Sequence, residues 1–307
     1  MSTLGIWLQA ARPAAQANIA VPLLFGQALA FARFGAFSWP IALALLGYGL
    51  ALHLFIVFIN DLADEAGDRA NTTYNRFSGG SRVLPEGKLD RAALRSAAII
   101  SASAMVSVSL YLTFKLGRPF ALVWPAVAAL LAWAYASPPL RLAYRGYGEL
   151  VQGLGVGVVL PLTAIYAQAG ELAPELLPPL LPALILGVAG NMLTSLADHP
   201  ADAAADKRTY AVRVGQFRAR RHAIELTLVA ALLANLVLPE LSTLLDLALA
   251  VPAAALLYGG ARLLGTADAE DHGECERFVL LVGGAGHVLL LTWSLALLIV
   301  GITASVA

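Results

Sequence analysis

Residues 41–59 read IALALLGYGLALHLFIVFI, and the chain continues Asn60-Asp61-Leu62-Ala63-Asp64-Glu65-Ala66-Gly67-Asp68. The first part is an unbroken apolar run, and the second is dense in carboxylates. A helix needs about 20 mainly apolar residues to cross a bilayer, so this stretch predicts a membrane helix that ends in acid. The pattern returns once: the apolar run 177–196 leads into Asp198, Asp202 and Asp206. Carboxylates are costly beside hydrocarbon, which makes each cluster a candidate functional site.

The rest of the chain agrees. It has 307 residues, 59% hydrophobic and 13% charged, against roughly 25% charged in a soluble domain. The apolar residues fall into nine runs, 14–33, 39–60, 93–114, 119–136, 149–169, 177–197, 221–239, 243–264 and 277–303. They are continuous rather than alternating, which excludes a lipid-facing β-barrel pattern. The expectation is an all-α, polytopic membrane protein: a single domain, 1–307, of nine transmembrane helices bundled around a central cavity open to lipid. Pro125, Pro161 and Pro252 fall inside these spans and are expected to kink them.

Net charge is zero, so the overall balance says nothing about nucleic acid or an acidic partner; no nucleic-acid partner is expected of such a membrane protein. Seventeen of the twenty Lys and Arg residues fall on one side of the predicted spans, all but Arg33, Lys115 and Arg118. The positive-inside rule puts that side, the N-terminus and the loops 61–92, 137–148 and 198–220 in the cytoplasm. Both acidic clusters then face the cytoplasm from the inner (plasma) membrane. The N-terminal residues lack the pattern of a removable signal peptide. The single cysteine, Cys275, excludes an internal disulfide.

Asp61, Asp64 and Asp68 are spaced i, i+3 and i+7, one stripe of a continuing helix. Asp198, Asp202 and Asp206 are spaced i, i+4 and i+8, again on one face. One such triplet reads as a solvated acidic face. Two in equivalent places, each with basic residues nearby, point to Mg²⁺, which binds through one or two carboxylates plus substrate phosphates. In the loop Phe77-Ser-Gly-Gly-Ser-Arg82-Val-Leu-Pro-Glu-Gly-Lys88, paired glycines let backbone N–H groups converge on an anion, with Arg82 and Lys88 as phosphate contacts. Arg141, Arg145, Lys207 and Arg208 are further phosphate candidates; positive-inside anchoring explains them equally well. His53 reads as a satisfied core histidine, and the remaining histidines show no metal-ligand spacing.

Asn60-Asp-Leu-Ala-Asp64-Glu-Ala-Gly-Asp68 resembles the NDxxDxxxD motif of the UbiA superfamily of membrane prenyltransferases, and Asp198-His-Pro-Ala-Asp202 its second, DxxxD-type motif. Ser78 to Gly87, Tyr144-Arg-Gly-Tyr-Gly-Glu149 and Lys207-Arg-Thr-Tyr-Ala-Val-Arg-Val-Gly215 are similar to the menaquinone branch, as is Ala11-Arg-Pro13. The chain departs from the pattern at Leu62 and Ala63, where relatives carry an aromatic residue. It departs again at Thr194, in place of Asn or Glu, and at Asp206, in place of glycine. The resemblance implies Mg²⁺-dependent transfer of a polyprenyl group from a polyprenyl diphosphate to an aromatic acceptor, 1,4-dihydroxy-2-naphthoate first. It makes Asp61, Asp64, Asp198 and Asp202 metal ligands and catalytic residues, with Asp68 a further ligand or a base. Asn60, Arg82, Lys88, Arg141, Arg145, Lys207 and Arg208 become substrate contacts. Other acceptors (4-hydroxybenzoate, homogentisate, haem, glycerol phosphate) fit the same motifs. An ion transporter is the rival class, but it would place its ionisable groups near the bilayer midplane.

Overall fold

The computed structural model describes residues 2–71, 74–238 and 243–306, without the side chains of 243–249 and 306. Residues 72 and 73 of the expected 61–92 loop, and residue 239 closing the expected seventh span, lie outside the described residues.

Helix α1 (Thr3–Ala11) starts where the Ser2 hydroxyl accepts the Gly5 N–H, and it stops at Arg12 in a left-handed backbone conformation. A 3₁₀ turn, Pro13–Gln16, leads into α2 (Ala17–Phe34). There follow α3 (Trp39–Ala70), α4 (Arg91–Leu116), α5 (Val123–Ala136), α6 (Gly148–Leu154), α7 (Leu160–Ala169), α8 (Leu177–Ala197), α9 (His199–Ala204), α10 (Tyr210–Val214), α11 (Gln216–Val237), α12 (Thr243–Ala261) and α13 (His272–Val306). No strand occurs among the described residues.

Helices occupy all nine expected stretches, yet six segments are long and apolar enough to cross a membrane: Thr3–Phe34, Trp39–Ala70, Arg91–Leu116, Gly148–Ala169, Pro174–Ala197 and His272–Ser305. Helix α5 has 14 residues, about 21 Å of rise. Helix α11 begins with Arg218, Arg220, Arg221 and Glu225. Exposed Leu43, Leu46 and Leu50 line one face of α3, and Ile99, Ile100 and Phe114 stand out from α4. Apolar stripes of this size are a liability in water and a match for lipid.

Helix α3 packs on α4, α8 on α6 and α11, α13 on α2 and α12, and α2 also on α7. One core joins α2, α8, α11, α12 and α13 through residues such as Phe25, Leu180, Phe278 and Trp293. A second joins α2 to α3, α4, α5 and α7 through Leu23, Leu45, Met105 and Leu160. A smaller one, with Ala10, Phe58, Val83 and Leu94, sits under the acidic end of α3. Two open cavities, about 590 and 550 Å³, adjoin at Leu62 on the outer α3/α4 face and not between the acidic clusters.

The prolines act differently from one another. Helices α6 and α7 are joined by a π-helical turn, Gly155–Val159, in which the Leu160 N–H reaches back to the Gly155 carbonyl. Pro161 follows at once and has no N–H to restore the α-helical bond. Pro125 falls in the first turn of α5, where a missing N–H breaks no intrahelical bond. Pro252 lies inside α12.

Candidate active site

The two acidic ends behave unlike each other. Helix α3 continues to Ala70, so residues 61–70 are helix and not loop, and Asp61, Asp64 and Asp68 form the expected stripe. The second cluster is not one helical face. Helix α8 ends at Ala197, and Asp202 belongs to the short α9, which carries Pro200 in its first turn. Pro200 cannot donate to the preceding turn and disfavours helical geometry at His199, so the helix restarts instead of continuing. Asp206 lies beyond α9, exposed and left-handed at φ 52°.

The loop between the clusters draws them together. Gly79 N–H donates to Asp198 Oδ1 at 2.9 Å, and Ser81 N–H donates to Asp61 Oδ1 at 3.2 Å. The Ser81 hydroxyl also donates to Asp61. The paired glycines therefore gather backbone donors around the protein's own carboxylates, not around an external anion as expected. Gly80, at φ +68°, lies so close to Asp68 that a side chain there would collide with its carboxylate. A second bridge runs on the other flank. Tyr144 O–H donates to Asp64 Oδ1 at 2.9 Å, and Lys207 Nζ lies 3.2 Å from Asp202 Oδ1 and 5.4 Å from the Tyr144 ring.

Arg12 belongs to this site as well, although as sequence it had no role beyond a basic residue within the Ala11-Arg-Pro13 resemblance. The left-handed turn after α1 swings its guanidinium onto the buried Asp61 carboxylate. The signal was an arginine placed between apolar stretches and directly before Pro13. The His53 ring nitrogen bonds the Ala11 carbonyl at 2.7 Å and so supports this break, as a satisfied core histidine. The non-glycine residues with positive φ are Arg12, Arg82, Arg141 and Asp206 among the described residues, all around this one site. Such conformations are uncommon away from functional sites.

The other site residues divide. Arg82 donates to the Asp68 carbonyl and stacks 4.1 Å from the Tyr74 ring. Arg141 stacks 3.6 Å from the Tyr144 ring. Asn60 is half-buried directly before Asp61. Three of the expected phosphate contacts are directed elsewhere. Lys88 binds Gln9 and Glu86, the exposed Arg145 donates to the Pro139 carbonyl, and Arg208 is exposed. Thr194 donates to the Gly190 and Asn191 carbonyls of its own helix and does not supply the missing Asn or Glu. Leu62 lines both outer α3/α4 cavities and Ala63 one of them, so these two positions border the outer face and not the space between the clusters.

Electrostatics separate the two clusters as well. Burial, then Asp202, push the Asp198 carboxyl up to about 7. Burial also raises Asp202, against the pull of Lys207. Burial opposes the charge on Lys207, but Asp202, Asp64, Tyr135 and Asp198 together hold its pKa well above the ordinary value. Asp202 Oδ2 is buried without a hydrogen bond of ordinary geometry, and the Thr209 hydroxyl, close enough to influence it, is left unpaired as well. An orphaned carboxylate oxygen in an under-neutralised acidic site fits a hard cation. No three His, Cys, Asp or Glu side chains are grouped to hold one ion among the described residues. An ion such as Mg²⁺ would therefore take one or two of these carboxylates and complete its shell with water and substrate phosphate.

A family model described as UbiA prenyltransferase family matches residues 19–283. Two curated relatives are named 1,4-dihydroxy-2-naphthoate octaprenyltransferase. The one from Mycobacterium tuberculosis is 28% identical over 72% of this chain and 73% of its own. The one from Mycobacterium leprae is 26% identical over the same shares, 72% and 73%. Among solved structures, a UbiA homolog from Archaeoglobus fulgidus bound to DMAPP and Mg²⁺ has a TM-score of 0.67 at 16% identity, covering 95% of this chain and 98% of that one. A digeranylgeranylglyceryl phosphate synthase has a TM-score of 0.64 at 17% identity, covering 97% and 99%. At these identities the structures establish a shared fold.

Proposed function

The chain belongs to the UbiA prenyltransferase family, and from that premise we propose that it moves a polyprenyl group from its diphosphate onto 1,4-dihydroxy-2-naphthoate. It is an alkyl-transferring enzyme of the membrane; the acceptor is the proposal. The names of the two mycobacterial relatives support that acceptor. The observation that carries the reading is the joining of the two acidic ends through Gly79 and Ser81, with Asp202 Oδ2 left unpaired.

Asp61, Asp64, Asp198 and Asp202 would hold Mg²⁺. When bound, Mg²⁺ supplies Lewis-acid neutralisation of the charge on a leaving diphosphate. The chain's own groups do the rest. Lys207 and Arg12 add fixed positive charge between the carboxylates, and Arg82 and Arg141 bring more to the rim. The apolar helices below take the isoprenoid tail and keep water from the allylic cation until a ring carbon of the acceptor attacks. With the naphthoate, CO₂ is lost. Asp68, stacked against Gly80, is placed as a further ligand or base.

The distribution of Lys and Arg over the loops supports a cytoplasmic N-terminus and a site on the cytoplasmic face of the inner membrane. Helices α5, α11 and α12 then complete nine crossings within one domain. One labelled prenyl diphosphate, offered with a panel of acceptors to the purified enzyme, tests the proposal. The naphthoate should be prenylated fastest, with Mg²⁺-dependent diphosphate release. A faster 4-hydroxybenzoate or homogentisate reaction would overturn the acceptor.

A further inference from the structure

Below the carboxylates lies a second polar cluster that the ionisation chemistry does not use. Asn191 of α8, only 3% exposed, donates from Nδ2 to Gln152 Oε1 at 2.7 Å and to the Tyr135 oxygen at 3.1 Å. Three helices contribute: α5 carries Tyr135, α6 carries Gln152 and α8 carries Asn191.

All three side chains point into the bundle. On α6, Leu150 and Leu154 are 55% and 45% exposed and mark the lipid side, and Gln152 lies opposite them at 100° per residue. On α5, Leu130 and Trp133 are exposed, and Tyr135 is again on the far side. On α8, Asn191 precedes Asp198 by seven residues, two turns on the same stripe, or about 10 Å along the axis. Tyr135 lies between the layers, near enough to Lys207 to interact with it electrostatically. The site therefore has two storeys: charge at the membrane surface, and amide and hydroxyl groups a ring's length beneath.

Helix packing does not require this cluster. Gly153 and Gly187 already bring α6 and α8 into backbone contact one turn away, with 3.0 Å between the Gly153 Cα and a Cβ placed on Gly187. Polar side chains inside a membrane bundle do bond across helices, but each such bond contributes only weakly on average, so the cluster adds little to packing that the glycines already secure. The π-helical turn beginning at Gly155, a recurrent mark of functional sites, starts three residues after Gln152.

We infer that Asn191, Gln152 and Tyr135 form the recognition site for a ring hydroxyl of a phenolic or naphtholic acceptor. This rests on the prenyl-transfer reading above. A ring hydroxyl both donates and accepts, and an amide–amide–phenol cluster answers both demands in a site where an unmatched partner is heavily penalised. Held there, the ring edge next to the hydroxyl is turned up toward the carboxylates, where the diphosphate leaves. The cluster thus binds and orients the nucleophile without touching the metal ligands.

The test compares Asn191→Leu and Gln152→Met with the parent enzyme, in lipid nanodiscs with Mg²⁺. Each is assayed with the hydroxylated acceptor and with its O-methyl ether. Either variant should raise the acceptor KM about tenfold, the worth of one matched hydrogen bond, and leave the prenyl diphosphate KM within about twofold. The parent's preference for the free hydroxyl over the ether should shrink by a similar factor. Both KM values rising together, or kcat falling with the preference intact, would assign the cluster to helix packing and overturn the inference. Should Asn191→Leu fail to fold, Gln152→Met alone decides by the same readouts. A parent enzyme that releases no diphosphate with any acceptor defeats the prenyl-transfer reading instead, and quenching of intrinsic fluorescence by the phenolic ligand in parent and variants still reports on the cluster.

Discussion

The acidic ends of α3 and α8 use the same residue types and arrive at different pairings. On α3 the helix runs straight through Asp61, Asp64 and Asp68, and Asp61 and Asp64 meet partners: Arg12 and Ser81 for Asp61, Tyr144 for Asp64. On α8 the helix breaks, Asp198 and Asp202 crowd each other with Lys207 as the nearby cation, and one oxygen is left over. At the first end two of the three carboxylates are already partnered, and Asp68 packs against Gly80. The second is held short of charge balance, and a divalent cation would complete it.

The sharpest way to break this contrast is to neutralise one carboxylate at each end. Asp198→Asn should lower prenyl transfer by roughly 10²–10³-fold while thermal stability holds or rises, because a mutual repulsion is removed; Asp202→Asn should lower transfer comparably but also strips Lys207 of its ion-pair partner. Asp61→Asn should lower transfer comparably and also cost about 1–3 kcal/mol of stability, since Arg12 loses its anion. Activity assays beside thermal melts of the three variants decide it. Equal destabilisation at both ends would erase the distinction.

Next in size is the response to pH. Asp198 sits raised to about 7 in the metal-free protein. Below that pH its carboxyl is neutral and a poor ligand; above it the carboxylate is free to bind. The Mg²⁺ concentration for half-maximal transfer should therefore be several-fold higher at pH 6 than at pH 8, and chelation should abolish transfer at both. Identical Mg²⁺ titrations at the two pH values would show that Asp198 is not the group that sets the requirement.

The smallest effect concerns Asp206, left-handed at φ 52° where relatives carry glycine. Aspartate tolerates that conformation better than most residues, and glycine adopts it without cost. Asp206→Gly should be neutral to slightly stabilising in a thermal melt, and Asp206→Val should cost about 1–2 kcal/mol. A valine variant as stable as the parent would remove backbone strain from the account of the second end.

The sequence was most readable where the physics is local. Run lengths located the helices, and an i, i+3, i+7 spacing described the α3 stripe correctly because nothing interrupts that helix. It misled at α8, where the same spacing logic ignored Pro200. Arg12, Ser81 and Gly79 were hidden for another reason. Their bonds to Asp61 and Asp198 span between 20 and 119 residues of chain, and no periodicity reports a contact made by folding the loop back. Lys88 shows the converse: a cation in the expected loop, diverted by Gln9 on a helix at the far end of the chain.

The π-helical turn Gly155–Val159 has an evolutionary reading. A π turn is what a helix becomes when it absorbs one inserted residue without unwinding, and the insertion advances everything beyond it by about 100°. Deleting any one of Gly155 to Val159 would restore an ordinary helix and rotate α6 against α7. Gln152 would be carried off Asn191 while the acidic ends stayed untouched. A single-codon indel in this turn is therefore a route by which relatives of this enzyme could exchange one acceptor for another and keep their diphosphate chemistry.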